Sequence, residues 1–180
     1  MNHRSFLLEC TPDNFRARRS ATASLVTTQA GVNNLALCQR LWLAVGEGFW
    51  TERSRWSQAR WLRQLQEPGV SFWITHVSNE GAGCFELTRM TRGVKIQGFG
   101  LLPDYRGRGL GRDLLTAATE RGFETGAQKV WLHTATDDHP NALPNYLAGG
   151  YRIVRERELR HPMPSQSLTN QPGNRRGRRP

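Results

Sequence analysis

The chain has 180 residues with a formal net charge of +10, and 37% of its residues are hydrophobic. This length suits one domain with a sizeable core and is too short for two comfortable domains. The longest uninterrupted apolar run, Leu41 to Val45, is far below the roughly 18 residues that a membrane-spanning helix needs, so the sequence predicts neither a membrane span nor a secretory signal.

The positive charge is concentrated at the two ends of the chain. Residues 1–20 and 161–180 contain four arginines each, whereas residues 21–160 contain 17 basic and 13 acidic residues and therefore carry a charge of +4. A charge this small on the main part of the chain suits an anionic ligand and argues against a large nucleic-acid interface. One alternative stays open, in which the arginines of residues 161–180 bind nucleic acid with a strong salt dependence.

The composition also predicts the domain limits and the compartment. Residues 1–22 show neither helical nor strand periodicity and are expected to be a mobile lead-in, while residues 161–180 are expected to be a disordered basic tail. The domain itself is predicted over residues 23–160. The three cysteines are odd in number, widely spaced and without a CxxC pair, which favours reduced thiols and a cytoplasmic protein. The sequence leaves the oligomeric state open, including a homodimer.

The first predicted elements are a strand and two helices. A short, partly β-branched run from Ala23 to Thr28 predicts the strand, and apolar residues at helical spacing predict a helix over residues 35–46. Ser57 is a good N-cap for a second helix, which Pro68 ends. Residues 46–56 mix aromatic and charged side chains without a clear period. They are expected to form a loop pinned by aromatic anchors, with a substrate-binding wall as the alternative.

The middle of the chain predicts three consecutive strands. The runs Val70 to Val77 and Gly83 to Met90 are strand-like, and the turn residues 78–81 between them predict an antiparallel hairpin. Val94 to Leu102 predicts the third strand, and Pro103 marks its end.

The last third of the chain predicts a βα unit followed by a short helix and a strand. An apolar stripe over residues 109–126 predicts the longest helix. The strand predicted over residues 130–134 follows this helix, so it is expected to run parallel to the strand of residues 94–102, with the helix as a right-handed crossover. A short helix over residues 141–148 and a strand over residues 151–159 complete the pattern.

The segment Arg106–Gly111 lies between the third strand and the longest helix. Its glycines allow backbone N–H groups to approach a ligand closely, and the helix that follows adds the positive end of its dipole. Arg106, Arg108 and Arg112 add guanidinium groups, which bind phosphate oxygens in pairs. The sequence therefore predicts an anionic ligand with more than one phosphate oxygen.

Two familiar phosphate-binding patterns do not fit this loop. A GxGxxG dinucleotide fingerprint lacks its third glycine here, and a P-loop lacks its Gly-Lys-Ser/Thr. The loop instead matches the pattern Arg-x-x-Gly-x-Gly through Arg106, Gly109 and Gly111. Taken alone, this pattern also fits a glycine-rich turn without a ligand.

Residues 94–151 resemble the Gcn5-related N-acetyltransferase (GNAT) family. The run from Leu101 to Gly111 is similar to the acyl-CoA signature of that family, and residues 130–133 are similar to its next strand. Ala142 to Tyr146, followed by Gly150-Tyr151, is similar to its Ala-x-x-x-Tyr-x-x-x-Gly-Phe ending. The resemblance implies an α/β (α+β) fold with a mixed, largely antiparallel sheet that is split beside the acyl-CoA loop and flanked by helices.

The resemblance also implies the ligand. Acetyl-CoA is the acyl donor of the family, and no metal is needed. The backbone around Phe99 and Leu101 is expected to hydrogen-bond the pantetheine arm. A helix N-terminus with a nest of amides binds a diphosphate without help from side-chain charge. The residues expected to hold the pyrophosphate are Arg106, Gly107, Arg108, Gly109, Leu110, Gly111 and Arg112.

Two catalytic candidates follow from the same resemblance, which implies direct transfer of an acetyl group to an amine. Tyr146 matches the tyrosine that protonates the departing thiolate, and its alternative role is a packed tyrosine with its hydroxyl bonded to backbone. The strand before the loop has Lys95 and Gln97 where many members have a carboxylate, so Glu86 is the candidate base, acting through water; its alternative is a solvated strand glutamate. The amine acceptor is not identified. A catalytically silent module that only binds acyl-CoA is the alternative function.

His133 and the segment Asp137-Asp138-His139 raise the question of a metal site. They fall on a strand and a turn with no fourth ligand, so the sequence predicts no metal. His139 is instead a candidate for a role near the acetyl-CoA.

Overall fold

The computed structural model describes residues 3–20 and 25–159, which form one mixed sheet covered by helices. The described strands are β1 (His3–Cys10), β2 (Leu25–Gln29), β3 (Val70–Val77), β4 (Glu80–Met90), β5 (Gly93–Leu101), β6 (Val130–Ala135) and β7 (Arg152–Leu159). The described α-helices are α1 (Leu35–Gly46), α2 (Gln58–Gln66), α3 (Leu110–Glu124) and α4 (Ala142–Ala148). The strand order is β2-β3-β4-β5-β6-β1-β7, and only the β5–β6 pair is parallel. The predicted fold class is therefore confirmed.

The helices cover both faces of this sheet because successive residues of a strand point to opposite sides. On β4, Cys84 belongs to a buried cluster with Trp42 of α1 and Trp61 of α2. Its neighbour Phe85 belongs to a second cluster with Leu114 of α3. The sheet thus separates an α1–α2 layer from an α3 layer.

Strand β1 corrects the prediction that residues 1–22 are a mobile lead-in. Residues 3–10 pair with β6 on one side and with β7 on the other, both antiparallel. Phe6, Leu8 and Cys10 alternate into the core, and Leu8 has no exposed surface. The signal is only three apolar residues at period two, and the strand forms because two partner strands from the far end of the chain flank it. The basic tail predicted over residues 161–180 lies outside the described residues.

Helices and turns whose signals lie within a few residues of the sequence are found where the sequence predicts them. Helix α1 has the predicted bounds, and the hydroxyl of Ser57 accepts a hydrogen bond from the backbone N–H of Arg60 (3.3 Å) at the start of α2. The β3–β4 hairpin turns through Ser78 and Asn79, both with left-handed φ (51° and 66°). Short polar residues tolerate this conformation, which matches the twist of a tight hairpin.

The parallel pairing of β5 with β6, predicted from the βα unit, is confirmed but short. Only Val94 with Val130 and Lys95 with Trp131 are paired among the described residues. A bulge in β5 shifts its register against β4 between the pairs of Cys84 and Glu86. Bulges bend a strand, so the far half of β5 is left without β6 as a partner. The sheet is therefore split beside the segment that leads into the glycine loop.

Candidate active site

The glycine loop has a backbone that requires glycine at two positions. After β5 the chain makes a 3₁₀ turn over Pro103–Tyr105, and Gly107 and Gly109 then adopt left-handed φ of 72° and 77°. Residues with a Cβ adopt this conformation at a cost. Helix α3 begins directly at Leu110, so its N-terminal N–H groups lie beside the loop.

This loop opens onto a cavity of about 390 Å³ at the split in the sheet. The cavity is bounded by the loop, the end of β5, the end of α1 and the segment that leads into α4. Residues from each of these parts line it, namely Gly107, Gly109, Phe99, Leu101, Val45 and Tyr146. The structure therefore brings Tyr146 together with the glycines of the loop, although they are 35 residues apart at the closest (Gly111 to Tyr146).

The three loop arginines have different surroundings. Arg106 lines the cavity, but its guanidinium donates to the carbonyl oxygens of Leu101 (2.9 Å) and Val45 (3.2 Å), so it ties the loop to α1. Arg112 also lines the cavity and donates to the hydroxyl of Ser20 (3.4 Å).

Arg108 is exposed and is not among the residues that line the cavity. Its guanidinium lies 5.6 Å from the centre of the Tyr105 ring. Two of the three arginines predicted at the cofactor site, Arg106 and Arg112, therefore line the cavity.

Tyr146 lies on α4 and is only 7% exposed, with its ring between those of Phe99 (5.9 Å) and Tyr151 (6.2 Å). Its hydroxyl makes no hydrogen bond to any other residue in ranges 3–20 and 25–159, so the alternative of a hydroxyl tied to backbone is not found. Burial, together with the nearby Asp138 carboxylate, raises the pKa of Tyr146. The side chain therefore stays a neutral proton donor at ordinary pH.

Glu86 lies elsewhere. It has no exposed surface, and Arg53 donates to both of its carboxylate oxygens at 2.7 Å. Gln64 (2.9 Å) and Gln97 donate to the same carboxylate. Glu86 is not among the residues that line the cavity. Glu86 is therefore neither the solvated glutamate nor the base at the cavity that the sequence suggested. It forms a buried ion pair with Arg53, and its carboxylate also accepts hydrogen bonds from Gln64 and Gln97.

Arg53 is held by aromatic rings as well as by Glu86. Its guanidinium lies 3.7 Å from the centre of the Trp42 ring, 4.6 Å from that of Trp56 and 5.1 Å from that of Trp61. Cation–π contacts of this kind strengthen when water is excluded. The residues between α1 and α2 are therefore a loop pinned by aromatic anchors, as expected, although Phe49 and Trp50 of the same loop also line the cavity.

Asp138 and His139 line the cavity, but their side chains form local hydrogen bonds and not a cluster of metal ligands. The carboxylate of Asp138 accepts hydrogen bonds from the Thr134 hydroxyl (2.6 Å) and the Ala135 N–H (3.0 Å). His139 accepts the N–H of Asn141 at its Nδ1 (3.2 Å). Within residues 3–20 and 25–159, no group of three or more His, Cys, Asp or Glu residues is arranged to hold a metal ion.

Arg18 and Asn145 are among the cavity residues that sequence reasoning missed. The amide of Asn145 donates to the carbonyl oxygen of Gly111 (3.0 Å), which joins α4 to the first turn of α3. Asn145 directly precedes Tyr146, and this adjacency was the available signal. Nothing in the sequence near Arg18 indicates a ligand, because the residues that it meets are distant along the chain.

A split mixed sheet with a glycine loop at a helix N-terminus is the architecture that the resemblance to the GNAT family implies. A family model described as the acetyltransferase (GNAT) family matches residues 35–150, and the chain belongs to this family. Mycothiol acetyltransferase from Corynebacterium aurimucosum is 49% identical over 57 residues, which cover 32% of this chain and 18% of that protein. The match thus spans less than a fifth of the curated relative.

Solved structures agree on the fold. A GCN5-related N-acetyltransferase from Kribbella flavida matches with a TM-score of 0.60 and 20% identity, over 84% of this chain and 56% of that chain. Aminoglycoside N-acetyltransferase AAC(6')-Iy, solved in complex with CoA, matches with a TM-score of 0.57 and 16% identity, over 77% of this chain and 95% of that chain. Within the described part of the chain, no helix is both long and apolar enough to cross a membrane.

Proposed function

We propose that this protein transfers the acetyl group of acetyl-CoA directly to an amine. The observation that carries the proposal is that one cavity contains both the glycine loop at the N-terminus of α3 and the free hydroxyl of Tyr146. The first group suits the phosphates of a coenzyme, and the second suits the thiol end of the same molecule.

The residues present fit acetyl-CoA as a substrate. The loop offers backbone N–H groups next to two left-handed glycines, and the guanidinium of Arg112 borders the same space. The end of β5, with Phe99 and Leu101 at the cavity, has no β6 partner and so has backbone groups available for the pantetheine amides. Arg106 supports this seat by fixing the loop to Leu101 and α1.

The transfer needs two proton movements. The neutral amine attacks the thioester carbonyl carbon, a C–N bond forms, the C–S bond breaks, and the departing thiolate takes the proton of the Tyr146 hydroxyl. The nitrogen, which is cationic after the attack, loses its extra proton to water, and the Tyr146 phenolate takes a proton back from water, so the side chain is neutral again for the next turnover. We assign Glu86 a positioning role, because its carboxylate fixes Arg53 and hence the loop whose Phe49 and Trp50 border the cavity.

The second candidate function is a module that binds acyl-CoA without turnover. One observation favours it: Glu86 is saturated by hydrogen bonds, and the Asp138 carboxylate at the cavity is bonded to Thr134 and Ala135. The Glu86 carboxylate is thus not free to accept a proton directly from an amine, and Oδ2 of Asp138 is engaged in the same way.

Thiol release from acetyl-CoA in the presence of a panel of amines separates the two functions. The panel includes aminoglycosides and amines related to mycothiol, because matched proteins carry those names. Acetyl transfer requires thiol release that depends on the acceptor. The role of Tyr146 as proton donor further predicts that Tyr146→Phe lowers kcat by about 10²-fold or more, with the affinity for CoA retained.

The matched control is Tyr105→Phe, because the Tyr105 hydroxyl is bonded to Glu80 (3.1 Å) and Tyr105 does not line the cavity. This variant keeps wild-type turnover. CoA binding without turnover on any amine favours the silent module, and an unchanged kcat in Tyr146→Phe removes Tyr146 from the mechanism.

A further inference from the structure

The segment Thr11–Ser20, here called the strap, connects β1 to the N-terminal end of α3. Its backbone is held at several points along the way. The N–H of Arg16 donates to the carbonyl oxygen of Gly149 (3.0 Å), and the N–H of Ser20 donates to the carboxylate of Asp113 (2.6 Å). The strap is thus fixed against both α4 and α3, with its last residue beside the first turn of α3.

The backbone of Arg18 is bonded to α3 through both its N–H and its carbonyl oxygen. Its N–H donates to the Thr116 hydroxyl (2.8 Å), and the same hydroxyl donates to the carbonyl oxygen of Arg18 (3.0 Å). Thr116 is buried on α3. Two hydrogen bonds through one buried hydroxyl therefore fix the backbone from which the Arg18 side chain extends.

The Arg18 side chain enters the cavity. One terminal nitrogen donates to the amide oxygen of Asn145 (3.3 Å), and the amide nitrogen of Asn145 donates to Gly111 at the start of α3. Within the described residues this is the one side-chain hydrogen bond of Arg18, and a guanidinium has five N–H donors. The remaining donors of Arg18 are therefore available beside the loop.

The other two arginines at the cavity have different partners. Arg106 donates to two backbone carbonyls, and Arg112 lies 3.8 Å from the Asp113 carboxylate and donates to Ser20. Asp138 is the acidic residue among those that line the cavity, and Arg18, Arg106 and Arg112 border the same space. The excess positive charge at this end suits an anion, and among the described residues Arg18, unlike Arg112, has no carboxylate within 4 Å of its guanidinium.

We propose that Arg18 binds a phosphate of acyl-CoA, so that the strap forms part of the coenzyme site. This inference rests on the proposed function. The ligand chemistry is a phosphate oxygen, which the coenzyme carries in two places, the diphosphate and the 3′-phosphate of the ribose. Because the strap follows β1 directly, coenzyme binding also fixes the connection between β1 and the active site.

The test is isothermal titration of CoA and of dephospho-CoA, which lacks the 3′-phosphate, into the wild-type chain and into Arg18→Gln. We expect Arg18→Gln to raise the Kd of CoA by about tenfold or more, since a hydrogen bond to a charged group is lost. An equal loss with dephospho-CoA assigns Arg18 to the diphosphate, and a loss with CoA alone assigns it to the 3′-phosphate.

Arg19→Gln is the matched control, because Arg19 lies on the same strap, is exposed, and pairs with Glu120 on the surface. It keeps the wild-type Kd for both ligands. The thermal midpoint of each variant without ligand separates loss of fold from loss of binding, and Arg18→Lys, which keeps the charge and loses the fork, gives an intermediate Kd.

Equal Kd values for Arg18→Gln, Arg19→Gln and wild type overturn the role of Arg18 while the proposed function stands. A wild-type chain that binds neither ligand overturns both.

Discussion

Arg53 and Glu86 form a two-point ion pair, with two nitrogen–oxygen distances of 2.7 Å, inside the α1–α2 layer. Three tryptophan rings surround the guanidinium, and both side chains are almost completely buried. Buried pairs of this kind are costly to break, because the remaining charge has no water and no partner. The pair therefore links β4 to the loop between α1 and α2, and this loop borders the active site.

Glu86→Ala is expected to lower the free energy of unfolding by about 3–5 kcal/mol, since it leaves Arg53 charged and unpaired among the tryptophans. Urea unfolding of the wild type and the variant measures this difference in free energy. The control is Glu124→Ala, which removes the exposed Arg121–Glu124 pair at the end of α3 and is expected to cost less than about 1 kcal/mol. Equal effects of the two substitutions contradict the buried pairing.

Gly98→Ala and Gly107→Ala test the two kinds of glycine in this region. A Cβ at Gly98 would overlap the Trp42 ring, and φ is +56°, so the substitution is expected to cost about 2–4 kcal/mol.

A Cβ at Gly107 meets no atom within 4 Å, and only its φ of +72° is unfavourable, for a cost of about 1 kcal/mol. Chemical unfolding compares the two variants. A larger loss of stability from Gly107→Ala than from Gly98→Ala contradicts the close packing of Gly98 against Trp42.

The stability of the protein is expected to fall above about pH 10, partly through Tyr146. Because the pKa of Tyr146 is raised in the folded state, its contribution is fully present below the pKa of an unfolded tyrosine and is lost as the pH rises through the folded value. Thermal midpoints of wild type and Tyr146→Phe between about pH 9 and about pH 11 measure this contribution. We expect the smaller decline in Tyr146→Phe, and parallel declines contradict the raised pKa.

The three cysteines are expected to react slowly with thiol reagents in the folded protein. Burial raises the pKa of Cys10 to about 11 and that of Cys38 to about 12, and the pKa of the fully buried Cys84 is raised further. The thiolate is the reactive form, so labelling at neutral pH is expected only after unfolding in guanidinium chloride. Mass spectrometry counts the labelled thiols, and rapid labelling of the native protein contradicts this placement.

The sequence predicted the parts of this fold that depend on short-range signals. The helix over residues 35–46, the hairpin and the glycine loop are specified by caps, turns and periodicity within a few residues. Strand β1 was missed because its partners lie 120 or more residues away. The surroundings of Glu86 and Arg18 were missed for the same reason, since a side chain on a strand or a strap carries no local mark of what it contacts.

The position of β1 affects how the sheet assembles. In the described residues β7 pairs with β1 alone, and the pairs run from His3 with Leu159 to Glu9 with Arg152, so these contacts close a loop that includes almost the whole described chain. Contacts of such high sequence separation slow folding, because chain entropy is lost before they form. During synthesis β1 emerges before β6 and β7 and stays without either neighbour until both have left the ribosome. The last step of folding is therefore expected to be the pairing of β1 with β6 and β7, and β1 is the strand that holds β7 to the rest of the sheet.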